Sequence, residues 1–194
     1  MHDWKKISAL SFLEAPVLLT IFLVGVIHTI RYSNWQRAQP YAPTTIPAIS
    51  GLLEAEQLTI KSKSGAFNSL LQNTGGFKGY WSRGGQLFVQ FQSAGNTIDF
   101  EIPVPSMGKY RVMAYLTKSY DYGIVQFFLN GKKLGSALDL MSQTEVQATG
   151  PLVLGTGYFK KEGNVLRVMV LGNNPQNQPP HFYFGIDGIV VEKQ

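Results

Sequence analysis

The 194 residues predict an all-β protein, an antiparallel β-sandwich of jelly-roll type, preceded by one transmembrane α-helix. Three observations carry the prediction. Beyond residue 51 the apolar residues recur with period two in short runs, the signature of half-buried strands. Turn residues punctuate those runs, led by Asn130-Gly131 between two apolar stretches. Ahead of them stands Ala15–Ile30, sixteen residues without a formal charge, stopped by Arg31.

A helix rises about 1.5 Å per residue and a bilayer core is about 30 Å thick, so a span takes some 20 apolar residues. Residues 7–30 reach that length with Glu14 as their one charge, and Pro16 falls in the first turn of the span proper. We read residues 1–35 as a membrane anchor with its span at about 10–31. Trp4, Tyr32 and Trp35 then mark the two interfaces, where amphipathic rings settle. The apolar core is not followed by a small-x-small cleavage site, which sets it apart from a secretory signal. His28 lies three residues before Arg31. An interfacial hydrogen bond is the favoured role for it, and ligation of a pigment such as bacteriochlorophyll the less favoured one.

Residues 36–50 form a tether in which Pro40, Pro43 and Pro47 hold the chain extended. Residues 51–194 are the sandwich domain. Its strands are expected at Leu53–Lys61, Gln86–Phe91, Asn96–Val104, Gly108–Leu116 and Gly123–Leu129. More follow after the Asn130-Gly131 turn, at Gly150–Lys160, Val165–Leu171 and His181–Glu192.

Composition narrows the function. No cysteine is present, which removes disulfides, thiolate metal sites and a cysteine nucleophile. The net charge of +5 is spread over strands without a basic run, so nucleic acid is not an expected partner. The three histidines, His2, His28 and His181, are scattered, and no Gly-x-Ser-x-Gly, phosphate loop or zinc spacing occurs. Catalysis is not expected.

Several segments together resemble the galactose-binding-like jelly rolls used as carbohydrate-binding modules. They are Leu53-Glu54-Ala55-Glu56 at the start, Tyr80–Leu87, Gly108–Val112 and Asp121–Lys132 within, and Gly185–Glu192 at the end. The resemblance implies a structural calcium held by Glu54, Glu56 and Asp187, hard oxygen donors from the first and last strands. It also implies a sugar-binding rim. Trp81, Arg83, Tyr120, Asp121, Tyr122 and Asn174 are the residues expected there, the last within the amide-rich run Asn173, Asn174, Gln176, Asn177. Trp81 has a core role as its competing reading. The span loosely resembles antenna polypeptides of purple photosynthetic bacteria, with Val24 where a small residue is usual.

Two functions are therefore expected. The first is a non-catalytic, single-pass accessory subunit of a larger membrane complex, such as a photosynthetic reaction-centre or antenna assembly, in contact with lipid and other subunits. Exposed aromatics at Tyr41, Phe67, Phe77, Tyr80, Tyr158 and Phe159 would be its docking points. The alternative is a membrane-anchored carbohydrate-binding module that takes a polysaccharide at the cell envelope. Either way the expected location is a bacterial inner membrane with the sandwich in the periplasm.

Overall fold

The computed structural model describes residues 49–65 and 68–194. The chain divides into two units, Met1–Ala38 and Gln39–Gln194, and every described residue belongs to the second. The anchor, Trp4, His28, Tyr32, Trp35, Tyr41, Phe67 and most of the tether lie outside the described residues. Among the described residues no helix is long and apolar enough to cross a membrane.

Eleven strands run through the described residues: β1 (Leu53–Glu54), β2 (Ile60–Ser64), β3 (Asn68–Asn73), β4 (Gly85–Phe91), β5 (Thr97–Glu101), β6 (Gly108–Lys118), β7 (Gly123–Leu129), β8 (Lys132–Asp139), β9 (Gln147–Phe159), β10 (Val165–Asn173) and β11 (Phe182–Lys193). They form two sheets. The first has the order β3-β4-β11-β6-β9, with β1 added to β11, and the second β2-β5-β10-β7-β8. Every pairing between strands is antiparallel. The sequence expectation of an antiparallel sandwich holds.

Alternation makes the core. Phe184 and Ile186 of β11 share a face with Val89 and Leu87 of β4, their register partners. Across the sandwich, Ile98, Phe100, Val125, Phe127, Leu166 and Val168 are fully buried. Phe127 meets Phe184 edge-on at 6.3 Å, one ring from each sheet. Phe159, expected as a sticky surface ring, is fully buried instead and packs on Tyr110 at 5.2 Å. Tyr80 and Tyr158 are exposed.

Two elements differ from expectation. Leu53–Lys61 is not one strand: β1 joins the first sheet, a 3-10 turn at Ala55–Gln57 crosses over, and β2 joins the second. One alternating run had to serve two sheets, and buried Ala55 is the pivot. β3, Asn-Ser-Leu-Leu-Gln-Asn, was not foreseen because its adjacent leucines break the period of two. It is an edge strand, held by backbone pairing to β4.

Successive strands place their connections at two opposite ends. One end, called the loop end below, gathers the β2–β3, β4–β5, β6–β7, β8–β9 and β10–β11 connections. The other, the base, gathers the β5–β6, β7–β8 and β9–β10 turns with the last residues of β11.

Candidate ligand-binding site

At the loop end, on the outer face of the first sheet, Asn68, Gln90 and Tyr183 stand side by side across β3, β4 and β11. With Gln92, Pro180 and His181 they line a groove of about 280 Å³, near the lower bound of about 300 Å³ for small-molecule sites. The His181 and Tyr183 rings stack, centroids 4.9 Å apart. Behind them Phe88 meets Tyr183 edge-on at 5.6 Å and lies parallel to Tyr122 at 6.0 Å. A column of rings thus runs from the groove into the protein.

The amides are positioned by strand geometry: side chains directly opposite one another on neighbouring strands point to the same face. Tyr183 is fixed further. Its backbone N–H donates to the Asp121 carbonyl at 3.4 Å. Burial pushes its phenol pKa up, the nearby Asp121 carboxylate adds to this, and a hydrogen bond with Gln90 opposes it. The phenol is therefore neutral at physiological pH and able to donate. Among the described lining residues His181 is the one basic side chain.

The β10–β11 connection is braced by Asn177, whose amide donates to the His181 carbonyl at 2.9 Å and the Tyr122 carbonyl at 3.4 Å. Its own oxygen accepts the His181 N–H at 3.4 Å. The Gln178–Pro179 peptide is cis.

The sequence-predicted rim is largely structural. Trp81 and Tyr122 are each only 2% exposed, and Asp121 is buried. Trp81 Nε1 donates to Thr117 Oγ1 at 2.8 Å, and the Thr117 hydroxyl donates in turn to Gln86 Oε1. Gln86 then donates to Gln72 at 2.7 Å and to the Tyr122 hydroxyl at 3.2 Å. These rings are large enough to seal the outer face of the first sheet, and burial there outweighs display. The network needs Gly185: a Cβ at that position would stand 2.4 Å from Gln86 Oε1 and 2.5 Å from the Tyr122 hydroxyl. Asp121 accepts the Ser119 hydroxyl, and Asn174 donates to Asp139 at 2.6 Å. Tyr120 is partly buried, and Arg83 is exposed beside Glu54. Of the predicted rim, Asp121 and Tyr122 back the groove without lining it. Asn68, Gln90 and Tyr183 were missed because their alignment depends on strand register, which no linear spacing reveals.

Glu54, Glu56 and Asp187 do come together. Ser82 joins them: its N–H donates to both Asp187 oxygens, at 3.1 and 2.9 Å, and its hydroxyl contacts Asp187 at 2.7 Å and Glu54. One hydroxyl proton serves only one carboxylate at a time. The Arg83 guanidinium stands 3.6 Å from Glu54. Glu56 Oε2 is buried without a hydrogen-bond partner. Burial, opposed by Ser82 and reinforced by Glu54 and Glu56, pushes the Asp187 carboxyl up to about 6. Burial also raises Glu56. Among the described residues no three acidic or histidine side chains already surround one point as a metal site, since Glu54 and Asp187 turn onto Ser82. The donor chemistry nevertheless fits a hard cation: under-neutralised carboxylates, one with an unsatisfied buried oxygen.

No protein-family model matches the chain, and no curated protein matches it. Solved structures do. A stretch of a Paenibacillus xanthan lyase superposes with a TM-score of 0.63 at 22% identity, covering 81% of this chain and 14% of that one. A family 35 carbohydrate-binding module from Clostridium thermocellum aligns at 16% identity over 74% of this chain and 97% of its own, TM-score 0.45. A family 35 module from an environmental isolate aligns at 16% identity over 74% and 93%, TM-score 0.47. The first likeness establishes a shared fold with a segment of the lyase, and this chain spans only 14% of that protein's length. The two modules superpose too loosely to carry an argument.

Proposed function

We propose that the sandwich is a non-catalytic carbohydrate-binding module and that the loop-end groove takes a neutral sugar. The observation that carries this reading is the row Asn68–Gln90–Tyr183 beside the stacked His181 ring. Amides pair with vicinal hydroxyls as donor and acceptor together, and a ring edge or face covers the apolar C–H surface of a pyranose. Among the described residues no carboxylate, lysine or arginine lines the groove, so an uncharged glycan meets no unpaired charge there, whereas a uronate would find His181 as its one described counter-ion. The described lining also holds no carboxylate pair of the kind that glycoside hydrolysis uses.

The amide row and stacked rings of the groove support the envelope-module reading over an accessory subunit of a photosynthetic complex. A periplasmic position at a bacterial inner membrane belongs to the same reading, and protease accessibility in right-side-out vesicles tests it.

The carboxylate cluster is part of the proposal. Glu54, Glu56 and Asp187 would hold a calcium ion, which neutralises their charge and ties the first strand to the last. The chain's own residues orient the site: the Ser82 N–H fixes Asp187, and the 3-10 turn presents Glu56.

A glycan array probed with the full chain tests the binding reading. Neutral oligosaccharides are expected to be retained, and Asn68→Ala and His181→Ala to weaken retention at least about tenfold with an unchanged melting temperature. Retention of uronate-containing glycans alone contradicts it.

A further inference from the structure

The charge of the sandwich is gathered at one end. Six exposed lysines, Lys109, Lys132, Lys133, Lys160, Lys161 and Lys193, all lie at the base. Strand register puts them there. Lys132 pairs with Leu129 at the β7–β8 turn, and Lys160 and Lys161 follow Phe159, which pairs with Gly108. Lys193 pairs with Tyr110, next to Lys109. Of the carboxylates at this end, Glu101 is engaged by Lys61 at 3.2 Å and Glu192 by Arg111 at 2.6 Å. Among the described residues Glu162 is the remaining acidic side chain at this end to set against the six lysines. At the loop end, by contrast, Lys78 is paired with Glu145, and among the described residues the groove is lined by no lysine, arginine or carboxylate.

Two further observations bear on the same end. Met107 and Tyr158, both more than half exposed, meet there, with the Tyr158 hydroxyl 3.5 Å from Met107 Sδ. And β1 runs antiparallel to β11, Leu53 opposite Ile189 and Glu54 opposite Gly188, so the chain enters the sandwich from the base.

We propose that the base is a docking face for an anionic phospholipid surface. Lysines near such a surface gain from its negative potential and lose that gain over roughly one Debye length, about 8 Å at physiological salt. Their long stems carry charge outward while exposed Met107 and Tyr158 supply the apolar and amphipathic side chains that settle among headgroups. The sugar groove at the opposite end then faces away from the bilayer. This inference stands apart from the glycan reading, since it uses none of the groove residues.

The test uses the full chain with vesicles of phosphatidylcholine alone and with vesicles containing about 30% phosphatidylglycerol. Amine-reactive labelling read by mass spectrometry reports each lysine. The six base lysines are expected to be protected several-fold on the anionic vesicles only, with protection lost at about 0.5 M salt. Lys63 and Lys78, away from the base, should label equally on both. A variant carrying Lys132→Gln, Lys133→Gln, Lys160→Gln and Lys161→Gln is expected to lose the preference for anionic vesicles by on the order of a hundredfold, while still melting as the parent does. Equal labelling on the two vesicles overturns the proposal. So does protection by a soluble polyanionic polysaccharide without protection by anionic lipid, which would make the face a second glycan site. A binding failure on the glycan array would leave this result untouched.

Discussion

Asp187 is a carboxylate that burial holds well above its ordinary pKa. Its folded-state pKa of about 6 lies above its ordinary value of 3.8, so the native protein holds a proton that the unfolded chain releases. The sign follows from linkage. The stabilising contribution is complete below about pH 4 and is lost as pH rises through about 6, at a cost approaching about 3 kcal/mol for the charged form. Asp187→Asn removes that dependence: chemical denaturation should show the variant gaining stability relative to the parent between pH 5 and 7 (roughly 1–3 kcal/mol), with the difference vanishing near pH 4. Calcium should raise the parent's melting temperature at pH 7 and leave Asp187→Asn nearly unmoved. Trp81 takes the core role that competed with its reading as a sugar platform. Trp81→Ala empties a buried site and frees Thr117, so unfolding measurements should show a loss of about 3–5 kcal/mol. The acidic trio was legible because Glu54, Glu56 and Asp187 sit in two short, ordered motifs. A core role for Trp81 was one of two readings, but the burial of Tyr122 was not legible, because its cover comes from segments far away in sequence: Gln86 and Phe88.

At the scale of elements, the base turns are held by two asparagines. Asn164, fully buried, accepts the Lys160 N–H and donates to its carbonyl, both at 2.8 Å, and its oxygen also accepts from Asn130 at 3.1 Å. Asn130 in turn accepts the Val165 N–H at 2.9 Å. Asn130 and Gly131 both take positive φ, 50° and 80°, the two-residue hairpin geometry that this dipeptide suits. Asn164→Ala strands the part-buried Lys160 N–H and carbonyl and the Asn130 amide at once. Denaturant titration should register a loss of about 2–4 kcal/mol, well above the roughly 1 kcal/mol of an ordinary hydrogen bond. The second sheet's edge is managed differently. β2 is exposed throughout, and Ser62 joins the bidentate Arg167 at Asp99, all three contacts at 2.7 Å, which holds that carboxyl below the usual carboxylate range. Lys61 and Lys63 on the same strand discourage edge-to-edge pairing with another chain. Hairpins and central strands were readable because period and turn chemistry are local. The division of Leu53–Lys61 between two sheets, and β3 itself, depend on which partner strand lies alongside.

Taken whole, the described sandwich has two unlike ends. The loop end is neutral, amide-lined and aromatic; the base is basic, and the chain enters there. Such an arrangement suits a module that reaches outward for a glycan while its other end meets a charged surface. Sequence composition conveyed the net charge but not its segregation, since the lysines lie in separate turns that only the topology brings together. The most direct measurement is calorimetric titration of the full chain, and of Tyr183→Ala, with neutral and uronate oligosaccharides at matched ionic strength. The account predicts binding of a neutral oligosaccharide by the parent, reduced at least about tenfold in Tyr183→Ala, and no comparable binding of the uronate. Undiminished neutral-sugar binding by Tyr183→Ala, or binding of the uronate alone, would contradict it.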